Sequence, residues 1–249
     1  MSHIPVVPPY DGFPPTGGPA LRPTKGLATA VTVLLYAVIA TDLFALGADF
    51  NMRTLLGDLA TVSKQEADRA DALYALAAVI QGSVLLATAV VFIVWFHRSR
   101  VNAEHYTRDV CTLGRGWAIG SWFVPIGNLW LPYRVAKETW QASAQSAPDG
   151  SWRTVSLAPV RAWWTLWVMS LVVGRIGNTL YGKAQLPDTI RLAVSVVALS
   201  DLLDIAAAAL AILFIRKLTR MQQLPAPPYT ATHPGPQPWG KPGTPGPRT

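Results

Sequence analysis

The sequence predicts an all-α integral membrane protein: four transmembrane helices, a short cytoplasmic interfacial or re-entrant helical segment, and disordered Pro-rich tails. Three observations carry this prediction. Of the 249 residues, 51% are hydrophobic and only 14% are charged, against about 25% charged in soluble domains. The apolar residues fall in blocks, four of them close to or above the roughly 20 helical residues that cross a hydrocarbon core of about 30 Å. Pro and Gly gather at the two ends of the chain.

Taken in order, residues 1–25 form a Pro/Gly-rich tail, which buries too little apolar surface to offset chain entropy. The first span is expected over 27–48. Its apolar run exceeds the 7–15 residues of a signal peptide, so it is expected to be retained. The second span covers about 75–96. Ser63 and Glu66 have the spacing of a capping box, which places the helix start near Lys64 and outside the membrane. The third span is expected over 163–181 and the fourth over 190–215, giving a membrane domain of 26–221. Residues 222–249 form a second Pro/Gly-rich tail. Both tails contain Pro-Pro-Tyr (Pro8-Pro9-Tyr10 and Pro227-Pro228-Tyr229), a sequence that a proline-reading groove could bind.

Orientation follows from the basic residues. With both termini in the cytoplasm, four spans leave fifteen Lys/Arg inside and five outside, with Arg175 in the third span. That is the positive-inside pattern of a cell-membrane protein. The net charge of +7 therefore reports orientation and contact with membrane lipid; no nucleic-acid binding is expected. Cys111 is the only cysteine, which excludes an intrachain disulfide and a cysteine-based zinc cluster.

The segment 117–143 decides the topology. A fifth span there would invert all that follows and leave eight basic residues inside and twelve outside. Its apolar run is also short and carries Pro125, so it is expected not to cross. Trp122, Ile126, Leu129, Tyr133, Ala136 and Trp140 recur at spacings of three and four, an amphipathic stripe with Arg134, Lys137 and Glu138 on another face. Trp117, Trp130 and Tyr133 suit a membrane interface. Pro125, Gly127 and Asn128 read as a break before Pro132. A short helix, a turn and an amphipathic helix are therefore expected beneath the bundle, as an interfacial anchor or a shallow re-entrant loop.

The blocks "GWAIGSWFVPIGNLWLPYRVAKETWQAS", "WWTLWVMSLVVGRIGN" and "LSDLLDIAAAALAILFIRKLTRMQ" resemble actinobacterial membrane proteins grouped as domain of unknown function 4328, over residues 75–221. The resemblance implies an integral membrane protein. It transfers no activity and no site residues.

Polar residues inside spans are costly and mark function or pairing. Asp42, Arg175, Asp201 and Asp204, with Gln81 and Asn178, form the candidate intramembrane cluster. Arg175 is the one cation among them, so it is expected to pair with Asp201 or Asp204, with Asp42 completing a network. Such a cluster could be a structural lock or line a pathway for protons, ions or solutes. No Walker A, HExxH, CxxC-pair or GxSxG motif is present, so no enzyme activity, cofactor or metal is expected. His105 and Asp109, one helical turn apart, read as a solvated charged face. The function expected from the sequence is an accessory, scaffold or regulatory membrane protein that binds protein partners through its tails or interfacial helix. The alternative is a small transporter or channel-like protein built on the Asp/Arg cluster.

Overall fold

The structure, a computed structural model, describes residues 21–57, 62–144 and 155–223. Among these residues it is all-helical, with α1 Lys25–Leu55, α2 Lys64–Tyr106, the single turn α3 Trp117–Gly120, a 3-10 turn at Gly127–Leu129, α4 Leu131–Ala142, α5 Ala158–Lys183 and α6 Pro187–Gln223. Both Pro-Pro-Tyr sequences lie outside the described residues.

Three helices, α1, α2 and α6, are long and apolar enough to cross a membrane. At 1.5 Å per residue α2 is about 65 Å long, twice the hydrocarbon thickness, so it projects well beyond any bilayer it crosses. Large apolar side chains such as Val33, Phe50, Val79, Leu86 and Leu213 point outward, as expected of helices in contact with lipid. The third expected span corresponds to α5. It is 26 residues long, but it does not reach the hydropathy of the other three. Trp163, Trp164 and Trp167 add little to a transfer scale, and Arg175 and Asn178 subtract from it.

Local chemistry explains where the helices begin. The Ser63 side chain accepts from the Glu66 N–H at 3.3 Å, and the Glu66 carboxylate accepts from the Ser63 N–H at 2.9 Å, the capping box read from the sequence. A Ser63→Ala variant is expected to lose about 1 kcal/mol of helix stability, read as faster amide exchange over residues 64–70. Pro132 and Pro159 occupy the first turns of α4 and α5, where a missing N–H costs nothing. Residues 21–24, expected to belong to the first tail, are packed on the helices. Arg22 exchanges two backbone hydrogen bonds with the Asn102 amide at 2.8 and 2.9 Å, and Thr24 is buried, so residues 21–24 are held against α2.

The four long helices run antiparallel. The start of α1 and the ends of α2 and α6 meet at one end, where Tyr106 donates to the Gln222 carbonyl at 2.7 Å. Residues 107–144 lie at this same end. At the other end Tyr74 of α2 stacks on Tyr181 of α5 at 5.0 Å. The helices form a row: α2 packs on α1, α1 on α6 and α6 on α5, while α2 and α5 share no extensive interface. α5 and α6 approach closely at Gly177, where a Cβ would lie 2.9 Å from Val197 Cγ2 and 3.0 Å from the Val197 nitrogen. Small residues let membrane helices approach in this way. A Gly177→Leu variant should therefore push α5 off α6 and lower the unfolding midpoint in detergent by several degrees.

The core lies toward the 107–144 end. Trp163 stacks on Phe214 at 4.9 Å, Trp140 stacks on Phe214 at 5.7 Å, and Trp95 meets Phe214 edge-on at 5.9 Å. These rings join α2, α4, α5 and α6 in one apolar mass.

Candidate functional site

The six polar residues singled out in the spans all line one cavity of about 540 Å³. α1 contributes Asp42, α2 Gln81, α5 Arg175 and Asn178, and α6 Asp201 and Asp204. The 3.6-residue period puts Asp201 and Asp204 on one face of α6, and both turn toward the cavity.

The hydrogen bonding differs from the expected pairing. Gln81 Nε2 donates to Asp42 Oδ1 at 2.9 Å and to Asp201 Oδ1 at 3.2 Å. Ser170 of α5 donates to Asp204 Oδ1 at 3.2 Å. Arg175 forms no ion pair with any carboxylate among the described residues. It lies exposed on the rim of the cavity with Asn178, because its position on α5 turns it away from α6. The Arg175–Asp201/Asp204 pair is therefore replaced by an amide bridge between helices.

That bridge satisfies only half of each carboxylate. Asp42 and Asp201 are 3% and 7% exposed, and the Oδ2 atom of each is buried with no hydrogen-bond partner. An ionised carboxylate away from water is costly unless a cation, a proton included, meets it. Asp49, also buried with an unpartnered Oδ2, was not among the residues singled out. It lies one residue past the end assigned to the first span, and two helical turns after Asp42 on the same face of α1.

The floor of the cavity is Trp122. Its ring meets Phe92 at 5.7 Å, Phe96 at 6.3 Å, Trp164 at 6.0 Å and Trp167 at 5.6 Å. Residues 117–143 have the expected order of a short helix, a turn and a second helix. α3 ends at Gly120, and the chain turns through Ile126 at φ 61, a region that β-branched residues rarely enter. Gly127 follows, where a Cβ would lie 2.7 Å from Val124 Cγ1. The helix resumes only at Leu131, with Pro132 in its first turn. Phe123, Ile126, Leu129 and Trp130 are exposed together with Trp117 and Ile119. Pro125 is exposed and Asn128 half-buried, while Pro132, Ala136 and Trp140 are buried and Tyr133 is half-buried. The expected stripe therefore divides into an outward apolar turn and an inward helix face.

Glu138 also departs from expectation. The sequence pattern puts it on the polar face of an amphipathic helix, yet it is 6% exposed and faces Arg100, which is fully buried. Arg100 Nη2 lies 3.0 Å from Glu138 Oε2 and also donates to the Leu113 carbonyl. The Glu138 carboxylate accepts from Thr112 Oγ1 and from the Leu113 N–H at 3.2 Å, and forms an ion pair with Arg134, whose Nε lies 3.4 Å away. Burial alone would push this carboxyl up; the bonds from Thr112, Leu113 and Arg100 outweigh burial and hold it below its ordinary value. This cluster ties α2, the 107–116 loop and α4 together, and so fixes the segment that carries Trp122. His105 and Asp109 do not share a helix face, because α2 ends at Tyr106. Burial raises the Cys111 thiol.

A family model described as domain of unknown function (DUF4328) matches residues 58–220. The chain belongs to this family. The matched DUF4328 region runs from just before α2 to the last turns of α6. It therefore includes Gln81, the Trp122 turn, Glu138, Arg175, Asp201 and Asp204, whereas α1 with Asp42 lies before it. No curated protein and no solved structure matches the chain.

Proposed function

We propose that this chain is a cell-membrane protein with four spans, α5 crossing beside α6, and that it binds and conducts a cationic solute with no catalytic step. At 26 residues, α5 is about 39 Å long, enough to cross. The charge asymmetry supports a cytoplasmic location for the end where the start of α1 meets the end of α6. One observation carries the functional reading: two buried carboxylates from different helices share one amide on a cavity wall, and neither has a cationic partner among the described residues.

The scaffold role expected from the sequence has less support. The inward face of α4 (Val135, Ala136, Thr139 and Trp140) is buried within the chain, which leaves a partner the exposed turn of Phe123, Ile126 and Trp130 and not that helix face.

The test is uptake of labelled methylammonium by proteoliposomes. Wild-type protein should give saturable uptake, and Asp42→Asn/Asp201→Asn should reduce it at least tenfold at unchanged insertion. Wild-type uptake no faster than that of protein-free liposomes would refute the reading.

A further inference from the structure

The cavity is open along one side. α1 and α6 form its back, Trp122 its floor, and α2 and α5 its two flanks. α2 and α5 meet at Tyr74–Tyr181, 5.0 Å apart, and again at Phe92–Trp163, 5.8 Å apart. Between these two contacts they are not packed together. Gly82, Leu85 and Ala89 on α2 and Leu171 on α5 line that gap and are exposed. A gap between two membrane helices, edged by leucines, opens to lipid tails.

The lining also changes character along its length. Asp42, Gln81, Asp201 and Asp204 occupy the end toward Tyr74 and Tyr181. Phe92, Ile93, Trp122, Trp163 and Trp167 occupy the other. The volume of about 540 Å³ falls in the roughly 300–1,000 Å³ range of small-molecule pockets. A molecule complementary to both ends carries a cationic donor at one end and an apolar body at the other.

Resting on the cation-binding reading above, we infer that the cavity binds an amphiphilic amine that enters from the bilayer between α2 and α5. Its ammonium donates to the free Oδ2 atoms of Asp42 and Asp201, the buried acceptors that lack a partner. Its apolar body lies against the aromatic floor formed by Phe92, Trp122, Trp163 and Trp167. Arg175, the one cationic residue of the lining, stands on the rim, where it opposes the ammonium instead of receiving it. Gly82 keeps the gap wide: a Cβ there meets nothing within 4 Å, so a larger side chain narrows the entrance without a clash at its first atom.

The experiment uses full-length protein in phosphatidylcholine nanodiscs with dansylcadaverine, a primary ammonium on a five-carbon chain with an aromatic tail. Energy transfer from tryptophan to dansyl reports binding. Wild-type transfer should saturate, whereas N-pentyl dansylamide, which lacks the ammonium, should only partition linearly. Asp42→Asn/Asp201→Asn keeps acceptors for Gln81 and should raise Kd at least tenfold. Gly82→Leu should also raise it at least tenfold, and Arg175→Gln should leave it equal or lower. Methylammonium should displace the probe only at a hundredfold higher concentration.

Equal competition by methylammonium would overturn the amphiphile while leaving the cation site standing. Unchanged binding in Gly82→Leu would overturn entry between α2 and α5. Saturable transfer that is absent from two-copy discs but present in one-copy discs would make a second copy the occupant of the gap, and would overturn the inference. Absence of saturable transfer together with absence of methylammonium uptake would remove both readings.

Discussion

Glu138→Ala is expected to be the most damaging single substitution outside the membrane spans, costing about 3–5 kcal/mol of stability. It leaves the fully buried Arg100 guanidinium with the neutral Leu113 carbonyl and, among the described residues, Glu104 as its one carboxylate, at 3.8 Å, and a buried charge that loses its main partner is far costlier than the net contribution of the pair. The double variant Arg100→Met/Glu138→Leu should recover most of the loss, because replacing both charges removes the desolvation cost as well as the attraction. Unfolding midpoints in detergent for the wild type, the single variant and the double variant would check this. A double variant as unstable as Glu138→Ala would show that the cluster acts through more than its charges.

The same cluster sets a pH dependence. The Glu138 carboxyl is held below its ordinary value of 4.5 in the fold, so the unfolded chain takes up its proton first as pH falls. The stability it contributes is full above that value and is lost as pH falls through the lower folded value. Glu138→Gln should flatten this acid limb of a stability profile.

Trp122→Ala is expected to cost a further large amount, about 3–5 kcal/mol for a tryptophan removed from packed rings. The consequence should reach function as well as stability. Trp122 closes the cavity at the 107–144 end, so its removal joins the cavity to that surface. Methylammonium uptake should become faster and lose saturation, whereas Trp122→Phe should retain a saturable component. A variant with normal stability and normal uptake would contradict the role of Trp122 as the floor.

Short-range features were legible in the sequence. The capping box at Ser63 and Glu66 involves one turn of backbone, and the structure contains it. The failure of 117–131 to form a long helix follows from its proline and glycines, which act locally. The gathering of Asp42, Gln81, Asp201 and Asp204 was legible for a different reason: polar groups in apolar runs have few places to go except one another. What remained hidden depends on helix rotation and on distant partners. Arg175 and Asp201 lie on neighbouring helices, yet the rotation of α5 sends the guanidinium to the rim and leaves Gln81 to bridge. Glu138 looked like a surface residue because its partner, Arg100, stands 38 positions earlier on another helix. The break at Pro125–Asn128 was legible, but not the direction each side of it faces: Ile126 and Leu129 turn outward while Ala136 and Trp140 turn inward, so the apolar spacing from Trp122 to Trp140 does not describe one surface.

The central claim is that carboxylates from α1 and α6 converge on one amide of α2 while Arg175 stands apart. It is tested most directly by proximity. In a Cys111→Ser background, Asp42→Cys/Asp201→Cys and Arg175→Cys/Asp201→Cys would each be treated with dibromobimane, a short reagent that fluoresces when both of its arms react with thiols. The arrangement described predicts rapid fluorescence from the 42/201 pair and little from 175/201. Rapid fluorescence from 175/201 with none from 42/201 would contradict it.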